Sequence, residues 1–131
     1  MKSEIPSGPS TDILACPAQG ADVLERLWVS LDAHLRTKSP VPPRTARLVA
    51  GGRQKMAKKL VEEAGEAALA AAVSDRDELI AESADLLYHL AVLWASMEIA
   101  PDEIWAEMQS REAAYGLAEK RAKHPDLYCA K

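Results

Sequence analysis

Phenylalanine is absent from this chain of 131 residues, and aromatic side chains make up 5% of it. The two cysteines, Cys16 and Cys129, form no metal-binding spacing, which suits a reducing compartment. No apolar run reaches the length of about eighteen residues that indicates a membrane span, and no signal-peptide pattern occurs. No segment of useful length alternates with the period of a strand. These absences predict a cytoplasmic, all-α protein with no membrane partner.

The composition that is present is ordinary for a soluble globular domain. Hydrophobic residues make up 48% and charged residues 27%, and the formal net charge is −4. An acidic chain is not expected to bind nucleic acid, because the surfaces of proteins that bind nucleic acid are usually basic. Proline and glycine are frequent near the start. We therefore predict a flexible arm over residues 1–20, an all-α domain over 21–124 and a frayed tail over 125–131.

Helical periodicity and breaker residues divide the predicted domain into segments. A first helix begins at Ala21 and ends before Pro40; a short helical turn follows, which Thr45 can cap, and Gly51-Gly52 breaks it. Two long helices are predicted over 53–73 and 76–97, the second with a capping pattern at Asp75 and Glu78. A further helix starts at Pro101. The two long helices should form a hairpin at the centre of the fold.

The apolar residues indicate how that hairpin is packed. The first long helix has one predicted apolar stripe, made of Met56, Leu60, Ala64, Ala67 and Ala71. The second is apolar on more than one face, so that it needs cover on several sides. A second copy of the chain is the expected extra cover. We therefore predict a four-helix bundle completed by dimerisation, as a homodimer or a higher homo-oligomer.

Acidic residues recur on the hairpin at spacings that share a helix face. Glu63 and Glu66 are three apart, Glu62 and Glu66 four apart, and Glu82 and Asp85 three apart. Gathered among apolar residues, such carboxylates repel one another unless a cation is present. Oxygen ligands favour Mg²⁺ or Mn²⁺, and such a centre suits phosphoanhydride cleavage. The alternative is that these are solvated charges on amphipathic helices.

Two other side chains near these carboxylates allow more than one interpretation. Lys59 lies four residues before Glu63, so it is either an ordinary ion-pair partner or a cation directed at phosphates. His89 interrupts the apolar helix. A lone histidine in such a place is typically an interior or interface residue whose hydrogen bonds are satisfied.

The acidic pattern resembles a known family. Glu62-Glu63-x-x-Glu66 followed by Glu82-x-x-Asp85 is similar to the motif of the MazG-like all-α nucleotide pyrophosphohydrolases. Within them the closest likeness is to the phosphoribosyl-ATP pyrophosphohydrolases of histidine biosynthesis. The further positions that support the likeness are Thr45 to Leu48, Gly52, Lys55, Lys59 and the run Asp85 to Leu90.

The resemblance implies a reaction and a role for each matching residue. The expected reaction is hydrolysis of phosphoribosyl-ATP, a nucleotide substrate, to phosphoribosyl-AMP and pyrophosphate. The implied ligands of Mg²⁺, or of Mn²⁺, are Glu63, Glu66, Glu82 and Asp85. The implied catalytic residues are Glu62 and Glu63, with Glu62 orienting or deprotonating water or helping to bind a second ion. The implied phosphate-binding residues are Lys59, Arg47 and Lys55.

Val61 stands where the family usually has glycine, and this difference leaves other functions possible. A valine there could obstruct the approach of substrate or of a neighbouring helix, which favours a house-cleaning hydrolase of non-standard nucleoside triphosphates. A non-catalytic dimeric helical module is a second alternative. A carboxylate-bridged di-iron bundle would need Glu-x-x-His on its helices, and the chain has no such motif on the hairpin.

Overall fold

The computed structural model describes residues 18–115, and these form helices and no strand. The helices are α1 (Ala18–Thr37), α2 (Pro43–Ala50), α3 (Gly52–Ala72), α4 (Arg76–Ser96) and α5 (Pro101–Tyr115). The all-α prediction is therefore confirmed. α1 begins three residues before the predicted start, and the rest of the predicted arm, together with the predicted tail, lies outside the described residues. None of the described helices is long and apolar enough to cross a membrane.

Helices α3 and α4 form the predicted hairpin, joined by a turn that begins at Val73. Ser74 in this turn has a φ of 58°, the left-handed conformation in which helices commonly end. The carboxylate of Asp75 then accepts a hydrogen bond from the backbone N–H of Glu78 at 3.0 Å. This bond satisfies one of the free donors at the start of α4, as the capping pattern predicts. The tight turn places the two halves of the acidic motif on neighbouring helices.

The inward face of α3 differs from the predicted stripe. Met56 and Ala67 are buried as expected, but Ala64 is exposed and Glu63 is buried in its place. Helix α3 has alanines on several of its faces, so hydrophobicity alone does not define which face turns inward. The outcome is that the carboxylate of Glu63 lies on the inward face of α3 together with the buried Ala67.

Helix α4 lies at the centre and packs against both α3 and α1. The buried cluster around it consists of Leu24, Leu31, Leu48, Met56, Ala91, Val92 and Ala95. Helix α5 adds an edge-on contact between the rings of Trp105 and Trp94, whose centroids lie 6.3 Å apart. Several sides of α4 are thus covered within one chain, although Ile80 and Leu87 remain about half exposed.

The short helix α2 corrects the expectation for Thr45. The residue before α2 is Pro42, there is no side-chain cap, and Thr45 lies inside the helix, where it is 5% exposed. Its hydroxyl is hydrogen-bonded to the hydroxyl of Tyr88 on α4 at 2.6 Å. Thr45 therefore attaches α2 to α4 instead of starting a helix. Gly52 follows with a φ of 83°, which glycine adopts without strain, and confirms the predicted break.

Candidate active site

Three carboxylates meet where the middle of α3 faces α4. They belong to Glu63, Glu66 and Glu82, and one oxygen of each lies within 4.8 Å of the others. Glu63 is 5% exposed and Glu82 is 9% exposed, whereas Glu66 opens to solvent. We call this group the carboxylate cluster. The spacing arguments predicted all three of its members, and the hairpin brings them together.

The carboxylate cluster holds a proton near neutral pH. Burial, reinforced by the neighbouring carboxylates of Glu66 and Glu63, raises the pKa of Glu82 to about 7. Burial also acts to raise the pKa of Glu63, but hydrogen bonding with Glu82, Glu66 and Lys59 outweighs it and leaves that pKa lowered. The pKa values of the two buried carboxyls thus shift in opposite directions. Glu82 tends to keep its proton, and Glu63 tends to be ionised.

The donor set of the carboxylate cluster fits a hard divalent cation. Oxygen Oε2 of Glu82 is buried and has no hydrogen-bond partner, which is unfavourable unless something binds there. Carboxylate oxygens are the ligands that Mg²⁺ and Mn²⁺ prefer, and a dication would relieve the repulsion among them. The unpartnered oxygen and its converging neighbours are therefore consistent with the predicted metal site.

Two predicted site residues lie beside the carboxylate cluster. Asp85 is half-buried one turn further along α4, and its oxygens are not part of the close group of three. Glu62 is exposed, and Lys59 Nζ donates to its Oε2 at 2.7 Å. That hydrogen bond lowers the pKa of Glu62 and makes it a weaker base. Metal binding by Asp85 and catalysis by Glu62 remain predictions.

Lys59 joins the carboxylate cluster to a basic cavity. Its Nζ lies 3.5 Å from Oε1 of Glu63 as well as 2.7 Å from Glu62, so the predicted ion pair is present. The hydrogen bond to Glu62 raises the pKa of Lys59, which keeps the side chain charged. Lys59 also lines a cavity of about 190 Å³. Its two predicted roles are therefore compatible.

The basic cavity brings together the three predicted phosphate-binding residues. Its lining consists of Arg44, Arg47, Leu48, Lys55, Lys59 and His89. Helix α2 supplies the arginines and α3 the lysines, and the break at Gly51 and Gly52 allows the two helices to converge. Arg44 and His89 were missed by the sequence interpretation. Their spacing gives a weak signal: Arg44 precedes Arg47 by one helical turn, and His89 follows Asp85 by one.

His89 corrects the expectation that its hydrogen bonds are satisfied. The ring is 2% exposed, and neither of its nitrogens has a hydrogen-bond partner. Its Nε2 lies 3.6 Å from Oε1 of Glu63, which is too long for a hydrogen bond. Burial lowers the pKa of His89, so the imidazole is neutral at physiological pH. A neutral ring with unpartnered nitrogens is available to a ligand.

A second concavity lies on the other side of the carboxylate cluster, towards the turn of the hairpin. This groove, of about 570 Å³, is lined by Glu66, Leu69, Ala70, Ala72, Val73, Asp75, Glu78 and Glu82. Because Glu66 and Glu82 also belong to the carboxylate cluster, the groove ends there. The cluster therefore separates a groove lined by four apolar and four acidic residues from a basic cavity, and the charge of the basic cavity suits an anionic group.

Comparisons with a family model and with individual proteins both match this chain to phosphoribosyl-ATP pyrophosphohydrolases. The family model described as phosphoribosyl-ATP pyrophosphohydrolase matches residues 31–112. The chain is 50% identical over 103 residues to phosphoribosyl-ATP pyrophosphatase 2 of Rhodopseudomonas palustris, which covers 79% of this chain and 78% of that protein. It is 42% identical over 106 residues to phosphoribosyl-ATP pyrophosphatase of Paramagnetospirillum magneticum, covering 81% and 96%. The matched residues include the carboxylate cluster and the whole lining of the basic cavity.

Proposed function

Because the chain belongs to the phosphoribosyl-ATP pyrophosphohydrolase family, we propose that it hydrolyses phosphoribosyl-ATP to phosphoribosyl-AMP and pyrophosphate. This is a step of histidine biosynthesis, and we place it in the cytoplasm. The observation that best supports the activity is the buried carboxylate cluster with an adjoining basic cavity. The first suits a metal and the second suits the anionic substrate that the metal would act on.

The residues that would hold Mg²⁺, or Mn²⁺, are Glu63, Glu66, Glu82 and Asp85. When bound there, the cation would supply Lewis-acid neutralisation of charge on the phosphate oxygens. The cluster itself excludes water from two of its carboxylates, since Glu63 and Glu82 are buried. This burial strengthens electrostatic interactions at the reacting phosphates.

The remaining roles fall to residues at the edge of the carboxylate cluster. Glu62 orients the attacking water, a role that suits a carboxylate whose pKa is lowered. Lys59 offsets the negative charge that gathers on the departing pyrophosphate, and Arg47 and Lys55 neutralise phosphates of the substrate. Glu63 pairs with Lys59 and lies next to His89, at the boundary between cluster and cavity.

A homodimer belongs to the same proposal. Large apolar side chains remain exposed along the hairpin, namely Val61, Leu69, Val73, Ile80 and Leu87. Burying them against a second copy would remove this surface from water. Sedimentation of the purified protein measures this directly: we expect a dimer or larger, and an active monomer would contradict it.

The test of the activity is pyrophosphate release in the presence of Mg²⁺. Phosphoribosyl-ATP would be compared with a panel of ordinary and modified nucleoside triphosphates. We expect a strong preference for phosphoribosyl-ATP, because Val61 lines neither concavity. Preference for a panel nucleotide would move the protein to nucleotide clean-up. No turnover of any substrate would favour a non-catalytic module.

A further inference from the structure

The buried imidazole of His89 makes no hydrogen bond within the described part of the chain. It is 2% exposed, and both ring nitrogens lack partners among the described residues. Tyr88 packs edge-on against it, with ring centroids 4.9 Å apart, but the hydroxyl of Tyr88 is engaged by Thr45. Burying an unpartnered polar ring is unfavourable, so a position like this one is expected to serve a ligand.

Three of the cations around His89 are also unpaired. The side chains of Arg44, Arg47 and Lys55 make no salt bridge or hydrogen bond within residues 18–115, although all three line the basic cavity. No carboxylate contributes to the lining. Positive charges that converge on a concavity without a counter-charge create a strong positive potential there. The cavity is thus prepared for an anion.

We propose that the basic cavity binds a second phosphate group of the substrate, one that is not the phosphate under attack. In this site Arg44, Arg47 and Lys55 supply charge, and His89 donates a hydrogen bond from the floor. The proposal rests on the proposed function, since it concerns the same substrate. It adds Arg44 and His89 to the binding residues and separates this phosphate from those at the carboxylate cluster.

Phosphate fits these residues better than a carboxylate does. It has up to two negative charges and several acceptor oxygens in a tetrahedral arrangement, so that two guanidinium groups, an ammonium and an imidazole can all reach it. Phosphoribosyl-ATP offers two sources of such a group. One is the terminal end of the triphosphate, which leaves as pyrophosphate, and the other is the 5-phosphate on the added ribose.

The test is calorimetric titration of the metal-free protein with inorganic pyrophosphate and, separately, with ribose 5-phosphate. We expect one of the two probes to bind, and the affinity to fall about tenfold in Arg44→Gln and in His89→Asn. Arg76→Gln is the matched control, because Arg76 is exposed at the start of α4 and lies outside the cavity. The probe that binds identifies the source of the phosphate.

Nuclear magnetic resonance gives a readout that a merely structural role would not change. The ¹⁵N signals of His89, assigned by their loss in His89→Asn, should shift when the probe is added, whereas those of His34 should not. Arg44→Gln is a surface change, so it keeps the test valid if His89→Asn fails to fold. Absence of binding by both probes, or equal affinity in Arg44→Gln and Arg76→Gln, would overturn the proposal.

The same preparations separate this proposal from the proposed function. If the wild-type protein turns over phosphoribosyl-ATP while Arg44→Gln leaves KM and probe affinity unchanged, only the second phosphate site is wrong. If a probe binds as expected but phosphoribosyl-ATP is not hydrolysed, the site stands and the proposed reaction fails.

Discussion

The proton on Glu82 should be released when a divalent cation binds. With a pKa of about 7, Glu82 is about 90% protonated at pH 6 and about 10% protonated at pH 8. Because a ligand carboxylate must be ionised, metal binding should therefore release about 0.9 proton at pH 6 and about 0.1 at pH 8. The apparent affinity for the metal should also weaken by about tenfold per pH unit below 7.

Titration calorimetry with Mn²⁺ in buffers of different ionisation enthalpy counts these protons. The neighbours of Glu82 should contribute little, since the lowered pKa of Glu63 keeps it ionised and the lowered pKa of His89 keeps it neutral. Asp77→Asn is the matched control, because Asp77 is an exposed carboxylate on the same helix and outside the cluster. Its proton count should equal that of the wild type. Equal proton release at pH 6 and pH 8 would refute the reasoning.

The proton on Glu82 should also make the stability of the metal-free protein depend on pH. The folded pKa of Glu82 lies above its ordinary value of 4.5, so folding takes up a proton between these two values. The contribution is complete below pH 4.5 and is lost as the pH rises through 7. The melting temperature of the wild type relative to that of Glu82→Gln should therefore fall from pH 5 to pH 7.5. His89, whose lowered pKa gives a contribution that rises with pH in the same range, affects both proteins equally. An unchanged slope in Glu82→Gln would contradict the assignment.

The remaining predictions concern catalysis and the position of α2. Glu66→Gln and Asp85→Asn should each abolish turnover with unchanged helical circular dichroism, because each removes a ligand charge without changing shape; retained activity in both would refute the ligand assignment. Chelation should stop the reaction and Mg²⁺ should restore it, so a rate indifferent to chelator would exclude the metal. Tyr88→Phe leaves the buried Thr45 hydroxyl without its partner, and urea unfolding should show a loss of about 1–2 kcal/mol. An unchanged midpoint would show that the bond does not hold α2 in place.

The hairpin could be predicted from the sequence because its signals are local. Asp75 and Glu78 mark the start of α4, and the three-residue spacing of Glu63 and Glu66 fixes their common face on any helix. The direction of that face could not be predicted from hydropathy, since alanines surround the glutamates. Neither pattern alone identified the interior, since Glu63 and Ala67 are buried whereas Glu66 and Ala64 are exposed.

The basic cavity was only partly predictable, because it depends on contacts between distant residues. The hydroxyl bond from Thr45 to Tyr88 spans 43 positions, and nothing in the local pattern around Thr45 distinguishes it from a helix cap. Yet this bond helps to determine where Arg44 and Arg47 lie. The burial of His89 has the same origin, since α2, α3 and α4 all contribute to its surroundings.

The short turn between α3 and α4 has a consequence for folding. Glu63 and Glu82 are 19 positions apart in the sequence, so little loop entropy is lost when the hairpin closes and joins them. We expect contacts of such short range to form early in folding, because they require little loop closure. What opposes closure is electrostatic, because the hairpin cannot form without bringing its carboxylates together. Low pH or a divalent cation should therefore speed refolding, because either reduces the repulsion among the carboxylates. The residues of the candidate active site would then control the folding rate.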